Sequence, residues 1–281
     1  MQAAKLGARC AFVGCVGDDE AGAAMRENLV GHGVDVAGVE TLAGGSSGVA
    51  PVNVSSISGE NAVVVVPGAN ALLTPAHVDA HASATISRAR VLLTQCETPL
   101  DATLAALRAC KEAGGFGILN AAPAPPKGSL GSEFAAVASL LVVNETELAA
   151  VSGRDVDSDA DAEAAALSLV DESGWARVAV TLSARGAMLV ERNSGVSRVA
   201  GVVVPPGRVI DTTGAGDSWC GALAAALAMA QAMIDAVSIA RAAELACCVA
   251  SRSVQSRGTQ ASYFGRADDA DVAAMLDALG A

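Results

Sequence analysis

The stretch Asp211-Thr212-Thr213-Gly214-Ala215-Gly216-Asp217 runs directly into the apolar segment Cys220–Ala230. A Val-rich segment, Gly201–Ile210, precedes it, so the pattern predicts a strand, a turn broken by glycine and a long helix. Such a turn directs free backbone N–H groups along the axis of the starting helix. Unsatisfied donors and the helix dipole attract an anion there, and the two glycines let it approach the backbone closely. The stretch therefore predicts an α/β fold with an anion site.

Asp217 is the residue of this turn that needs an explanation, because a nearby anion repels its carboxylate. One interpretation is that Asp217 is a general base, which takes a proton from a hydroxyl that attacks the bound anion. The other interpretation is that Asp217 and Ser218 only cap the helix, as such residues often do. The residues of the turn leave both interpretations open.

The composition limits the classes of function. The 281 residues fit one large α/β domain, and 52% hydrophobic with 2% aromatic residues predicts a core of Ala, Val and Leu. The formal net charge of −12 argues against nucleic acid or an anionic membrane as a partner. Phosphate binding by such an acidic chain needs a positive potential that is concentrated at helix ends, a metal ion and a few basic side chains.

The cysteines and the apolar segments bear on the compartment. Seven cysteines without zinc-ligand spacing predict reduced core thiols. Met1–Lys5 lacks the pattern of a secretory leader, and the longest apolar stretch, Gly221–Met233, is too short to span a bilayer. We therefore expect a cytoplasmic protein without a membrane segment.

Short Val-rich runs alternate with Ala-rich amphipathic runs along the chain. This alternation predicts a largely parallel sheet covered by helices on both faces, in a single domain over residues 1–281. The segment Ser47–Val66 breaks the alternation and predicts a hairpin with a polar turn at Ile57–Asn61. A hairpin outside the main sheet is able to close over a site as a lid. The predicted strands are Cys10–Gly14, Val49–Ser55, Asn61–Val66, Val91–Gln95, Gly117–Asn120, Leu140–Val143, Val178–Leu182 and Ala187–Glu191, and the predicted helices are Ala21–Gly31, Pro75–Ala84, Leu100–Ala113, Glu145–Val151 and Asp159–Glu172.

Other nucleotide and catalytic motifs do not fit the sequence. It has no P-loop and no Gly-x-Ser-x-Gly. Gly214-Ala215-Gly216 is followed by Gly221 rather than by a glycine at 219, which is the wrong spacing for a dinucleotide fingerprint. His77 and His81 share a helix face but lack clustered carboxylates or cysteines, so we do not expect a metal site there.

Two further segments follow predicted strands. Asn144-Glu145-Thr146-Glu147 opens a helix, and its two carboxylates are explained equally by a favourable helix start or by a site for Mg²⁺. Thr181-Leu182-Ser183-Ala184-Arg185-Gly186 offers hydroxyls, a glycine and one cation to a polyphosphate.

In this order, the three segments resemble the ribokinase family of carbohydrate kinases, from about Ala3 to the C-terminus. The resemblance implies a three-layer α/β/α fold with a mainly parallel central sheet and a small β lid. It also implies ATP-dependent phosphorylation of D-ribose at its 5-hydroxyl. A kinase for another sugar or nucleoside, and a catalytically impaired nucleotide-binding relative, stay open. Further matching stretches are Gly59-Glu60-Asn61, Gly68-Ala69-Asn70, Gln95–Pro99, Leu119–Ala124 and Gly258–Tyr263.

The resemblance also implies roles for individual residues. Asp217 is the catalytic base, Gly214, Ala215 and Gly216 form the anion hole, and Glu97 contacts the sugar. Asn144, Thr181, Ser183 and Gly186 contact ATP together with Gly216, and Glu147 is tied to Mg²⁺. Cys247 aligns with the residue that flanks adenine, which is commonly His or Asn. An activating K⁺ is implied at Asp211, Thr213, Ser253, Ser256, Gly258 and Ser262.

The front of the sequence departs from the family. Family members begin with an interior strand and a Gly-Gly-Lys-Gly-Ala-Asn segment that bind the sugar, whereas Met1 aligns just beyond that segment. We therefore expect an N-terminally truncated form, interpreted as a fragment, with an exposed sheet edge. We expect its sugar affinity to be weaker by about a hundredfold or more. Family resemblance also implies a homodimer through the lid, and the exposed run Val63–Val66 independently favours a partner.

Overall fold

The computed structural model describes residues 1–54, 61–82, 84–230 and 233–280. Its strands are β1 Ala11–Gly17, β2 Asp35–Leu42, β3 Val52–Val54, β4 Asn61–Val63, β5 Val91–Thr94, β6 Phe116–Asn120, β7 Leu140–Asn144, β8 Arg177–Thr181, β9 Gly186–Glu191 and β10 Gly195–Ala200. Its α-helices are α1 Gln2–Lys5, α2 Glu20–Gly31, α3 Pro75–Ala82, α4 Leu100–Glu112, α5 Ser132–Val137, α6 Glu145–Ser152, α7 Asp159–Asp171, α8 Ala215–Met229, α9 Ala236–Ser253 and α10 Ala270–Gly280.

Six strands form the central sheet, in the order β10-β9-β8-β7-β6-β5. The strands from β5 to β8 are parallel, and β9 is antiparallel to both of its neighbours. Both faces of the sheet are buried. Ile118, Leu140 and Val142 pack against α8 and α9, whereas Leu141 and Val143 pack with α4 to α7. The continuous apolar runs of β6 and β7 are what a strand with two buried faces requires, so the predicted three-layer α/β/α fold is confirmed.

A separate parallel pair, β1 with β2, lies beside this sheet. Cys15 of β1 and Leu92 of β5 belong to one apolar cluster, which also includes Val78 of α3 and Ala106 of α4. Among the described residues, β5 is the last strand of the six-stranded sheet and β1 bonds only to β2. Phe12 of β1 is 49% exposed.

The lid is shorter than the predicted hairpin. Strands β3 and β4 pair antiparallel through Val52–Val54 and Asn61–Val63, and a bridge joins Val49 to Val66. The predicted turn at Ile57–Asn61, except Asn61, lies outside the described residues, as does Gly59-Glu60 of the resemblance.

The predicted strand at Gly201–Ile210 is wrong. This segment is irregular and partly exposed, with Val203 at 88% exposure, and the edge strand β10 precedes it. Pro205 and Pro206 have no N–H groups to donate to a ladder, which explains why the Val-rich run does not join the sheet. The predicted strands and helices also did not include β2, β10, α5, α9 and α10.

The structure also bears on the thiols and on membranes. All seven cysteines are free thiols. Within the described part of the chain, every helix is too short or too polar to cross a bilayer.

Candidate active site

A cleft of about 70 Å³ opens where the carboxyl ends of β6, β7 and β8 meet the start of α8. Ligands of open parallel sheets bind at this edge, because the strand ends and helix N-termini converge there. Five of the predicted site residues, Asn144, Glu147, Thr181, Gly216 and Asp217, line the cleft. Its lining residues are Asn120, Ala122, Val142, Asn144, Glu147, Thr181, Gly216, Asp217 and Cys220.

The start of α8 shows why the turn needs glycine. Gly214 is the N-cap residue with a left-handed φ of 78°, and a Cβ there would lie 3.0 Å from the Tyr263 hydroxyl and 3.2 Å from Thr259. The N–H of Ala215 donates to the Thr212 carbonyl at 3.2 Å, so one of the three predicted free donors is engaged. The N–H groups of Gly216 and Asp217 lie in the first helical turn, where an α-helix offers no acceptor.

Asp217 is the third residue of α8 and not its N-cap, which is Gly214 and provides no side-chain cap. Ser218 does not cap the helix either, since its hydroxyl donates to Gln2 Oε1 at 3.3 Å. The capping interpretation of these two residues is therefore wrong. Asp217 is solvent-accessible, yet the surrounding cleft desolvates its carboxyl and raises its pKa, and the Met1 α-amino group partly opposes this shift. A carboxylate with a raised pKa at the end of a helix N-terminus is suited to take a proton.

Two more carboxyl groups share this region with Asp217. Desolvation raises the pKa of Glu97, and the negative charge of Asp217 adds to the shift. Desolvation also raises the pKa of Glu147, again with a contribution from Asp217. Glu97 and Glu147 are thus each electrostatically coupled to Asp217, and a nearby cation would relieve this repulsion.

Asn144 and Glu147 form a complete capping box at the start of α6. Asn144 donates to Glu147 through its backbone N–H at 2.8 Å and its side-chain Nδ2 at 2.9 Å, and its Oδ1 accepts the Glu147 N–H at 2.8 Å. The favourable helix start considered from the sequence is thus present. The side-chain amide of Asn144, predicted to contact ATP, donates to Glu147 in this structure.

Three more residues predicted to contact ATP, Thr181, Ser183 and Gly186, lie where β8 ends and β9 begins. The Thr181 hydroxyl donates to the Val143 carbonyl at 3.4 Å, and Ser183 is exposed with a left-handed φ of 53°. Gly186 is required for packing, since a Cβ there would lie 2.1 Å from the Val199 carbonyl. Arg185, the cation offered to a polyphosphate, instead pairs with Glu145 and with Asp159, the latter at 3.1 Å.

Asp211 joins the two segments that carry the predicted K⁺ ligands. Its carboxylate accepts the N–H of Gly258 and the N–H of Thr213, each at 2.9 Å, and these bonds lower its pKa. Ser253 and Ser256 lie in the adjoining turn, where the Ser256 N–H donates to the Ser253 carbonyl at 3.2 Å. The buried Ser262 hydroxyl donates to the Thr259 carbonyl at 2.7 Å. This donor set is oxygen-rich and carries one carboxylate, which is the chemistry that a hard cation needs.

Some residues behave differently from the sequence prediction or were not foreseen. Cys247, predicted to flank adenine, is buried in the core, and its Sγ accepts the Trp219 indole N–H at 3.4 Å. Asn120 and Cys220 line the cleft, and only the position of Asn120 at the end of a buried strand could have signalled this.

A larger cavity of about 310 Å³, at Gly17, Asp19 and Arg26, contains none of the predicted site residues. Among the described residues, no cluster of three or more His, Cys, Asp or Glu could hold a metal.

A three-layer α/β/α fold with a bare helix N-terminus and carboxylates at the carboxyl edge of its sheet is the architecture of a phosphotransferase. Comparisons with known proteins give the family. A family model described as pfkB family carbohydrate kinase matches residues 1–264. The chain belongs to the pfkB family of carbohydrate kinases, which confirms the resemblance found in the sequence.

Individual relatives agree with this assignment. The chain is 33% identical to a ribokinase of Haemophilus influenzae over 260 residues, which are 92% of this chain and 80% of that protein. It is 33% identical to a deoxyribokinase of Salmonella typhi over 93% of this chain and 80% of that one. A structure of Arabidopsis thaliana ribokinase with ribose and ATP superposes with a TM-score of 0.82 at 27% identity, covering 98% of this chain and 84% of that chain.

Proposed function

We propose that this protein transfers the γ-phosphoryl group of ATP to the 5-hydroxyl of D-ribose. The observation that carries the proposal is the position of Asp217. Its carboxyl is desolvated and free of capping bonds, and it lies beside the open N–H groups at the start of α8, in one cleft with Asn144, Glu147 and Thr181. The ribokinases among its relatives and structural neighbours support ribose as the substrate.

The proposed chemistry follows from this arrangement. The sugar hydroxyl attacks the γ-phosphorus in line, Asp217 accepts the hydroxyl proton, and ADP leaves. The N–H groups of Gly214, Ala215 and Gly216 and the positive end of α8 stabilise the charge of the transferring phosphoryl group, for which the Ala215 N–H leaves the Thr212 carbonyl. Glu97 holds the sugar, and Asn144, Thr181, Ser183 and Gly186 hold the nucleotide. For Asn144 this requires its amide to leave Glu147 when ATP binds.

We further propose that Mg²⁺ and K⁺ assist this reaction. Glu147, through water, is the residue that would hold Mg²⁺, which would neutralise phosphate charge near the coupled carboxylates. Asp211, Thr213, Ser253, Ser256, Gly258 and Ser262 would hold K⁺ next to the anion hole. We also propose that the protein is a cytoplasmic homodimer that associates through its lid.

The test is ADP release by the purified protein with Mg-ATP, K⁺ and D-ribose, measured beside Asp217→Asn. We expect kcat of the variant to fall by about 10²–10⁴-fold while ATP binding is retained, because loss of a general base removes a contribution of that size. Asp161→Asn is the matched control, since Asp161 occupies the same third position of α7 outside the cleft. Its kcat should stay within about twofold of the parent.

A second substrate deserves the same assay, because a deoxyribokinase is as similar to the chain as a ribokinase is. A higher kcat/KM for 2-deoxy-D-ribose than for D-ribose would identify the deoxy sugar as the substrate. If ATP raises the melting temperature but no sugar supports turnover, the proposal fails, and the chain is a nucleotide-binding relative.

A further inference from the structure

Tyr263 contacts the phosphate-binding turn from a segment distant in sequence. It is the single tyrosine of the chain and is buried. Its hydroxyl donates to the Gly214 carbonyl at 3.1 Å. The close approach leaves no room for a Cβ at Gly214, so Tyr263 packs directly on the first residue of the anion hole.

The bond acts on a peptide group of the predicted anion hole. The Gly214 carbonyl also accepts the Ser218 N–H at 2.9 Å, the first hydrogen bond of α8. Because the C=O of Gly214 and the N–H of Ala215 belong to one rigid peptide plane, two donors on the carbonyl restrict the direction of that N–H. In this structure the Ala215 N–H lies 3.2 Å from the Thr212 carbonyl, a long bond that an incoming phosphate oxygen could replace.

The backbone of Tyr263 is itself anchored. Lys5 Nζ donates to the Tyr263 carbonyl at 2.6 Å, and Gln2 Nε2 donates to the Phe264 carbonyl at 3.0 Å. Burial and the nearby charge of Asp217 raise the pKa of the Tyr263 hydroxyl. The hydroxyl therefore stays protonated at neutral pH and remains a hydrogen-bond donor.

We propose that Tyr263 is a positioning residue for phosphoryl transfer, which acts through the Gly214 carbonyl to hold the anion-hole peptide in its working orientation. The proposal rests on the proposed function of the cleft. It assigns no contact with substrate to Tyr263. The effect should therefore appear where charge develops on the transferring group and not in the binding of ADP.

The test is Tyr263→Phe, which keeps the ring and removes the hydroxyl. We expect kcat to fall about three- to tenfold, with KM for ATP and sugar and the Kd of ADP within twofold, because one hydrogen bond that matters in the transition state is lost. Affinity for ADP with Mg²⁺ and aluminium fluoride, a mimic of the transferring group, should fall by a similar factor. A kcat within twofold of the parent, or an equal loss of ADP affinity, would overturn the proposal.

Lys5→Met is the matched control, because it removes a donor to the same residue without touching the hydroxyl. We expect Lys5→Met to have a lower melting temperature but a kcat within twofold of the parent. A loss of kcat equal to that of Tyr263→Phe would contradict the proposal, because general loosening of the segment would then explain both variants.

A second readout does not depend on turnover. Since the chain has one tyrosine, ¹³Cζ-tyrosine labelling gives one NMR signal. We expect this signal to shift when aluminium fluoride is added to the Mg-ADP complex and to move little with ADP alone. If the parent turns over no sugar but the signal shifts in this way, the proposed function fails while the coupling of Tyr263 to the anion hole stands. If the protein binds aluminium fluoride and the signal does not shift, the coupling is rejected.

Discussion

At the scale of single residues, the carboxyl of Asp217, the proposed catalytic base, is expected to destabilise the folded protein when it is ionised. Desolvation raises its pKa above the ordinary value of about 3.9. Between the ordinary and the raised pKa, the folded protein binds more protons than the unfolded chain, so its stability falls as the pH rises through this window. Above the window the destabilisation by the ionised carboxylate is fully present.

We therefore expect Asp217→Asn to melt at a higher temperature than the parent at pH 7–8, although it is far less active. The difference should shrink as the pH falls through the raised pKa of Asp217, because the parent carboxyl becomes protonated there. Thermal melts of both proteins across this range, without ligands, make the measurement. Asp161→Asn serves again as the control. A melting temperature of Asp217→Asn below that of the parent at pH 7 would contradict the expectation.

At the scale of one element, the start of α6 combines a structural and a proposed functional role in Glu147. Glutamine is also a capping-box residue, so Glu147→Gln keeps an oxygen to accept the Asn144 N–H while it removes the charge. We expect Glu147→Gln to melt at the parent temperature or above it. The Mg²⁺ concentration for half-maximal activity should rise about tenfold, as is typical when an outer-shell ligand is lost.

Glu147→Ala separates the two roles. It removes the charge and leaves the Asn144 donors without an acceptor, so we expect it to lose about 1–2 kcal/mol of unfolding free energy in addition to the Mg²⁺ effect. Denaturant unfolding of the three proteins gives the stability, and a Mg²⁺ titration of turnover gives the metal requirement. Equal Mg²⁺ dependence in all three would assign Glu147 a structural role alone.

The elements also show what the sequence could predict. The buried strands β6 and β7 and the helix α8 were predictable, because a continuous apolar run or a long Ala-rich run has few other folded states. The irregular structure of segment 201–210 was not predicted. Its Val-rich pattern signals a strand, whereas Pro205 and Pro206 keep the segment out of the hydrogen-bonded ladder of the sheet. The turn at Gly214 was recognisable from residue type, but the hydrogen bond from Tyr263 joins positions 49 residues apart, which local patterns do not encode.

At the scale of the whole molecule, the proposed anion site is compatible with the net charge of −12, because it would use backbone donors and a helix end rather than basic side chains. Arg185, which lies near the cleft, is already paired with acidic residues. In the proposed reaction, neutralisation of the phosphate charge would therefore depend on Mg²⁺ more than on any single basic residue.

The lid, formed by β3 and β4, is the part of the molecule that we expect to need a partner chain. Its two short strands form a sheet of their own, and a lone two-stranded hairpin is marginal in water. Val64, Val65 and Val66 follow β4 and are all at least half exposed, with Val65 at 65%. Exposed apolar strand edges pair with other chains unless something covers them. These features favour the proposed dimer through the lid.

We therefore expect the parent to sediment as a dimer at about 10 μM and Val65→Lys to sediment as a monomer, because a buried lysine at an apolar strand interface costs several kcal/mol. Val203→Lys is the matched control, since Val203 is also an exposed valine but lies outside the lid, and it should stay dimeric. Sedimentation velocity of the three proteins makes the comparison. A monomeric parent would refute the dimer, whereas a dimeric Val65→Lys would place the interface on another surface. If the lid also closes over the sugar, the monomeric variant should show a raised KM for sugar with KM for ATP unchanged.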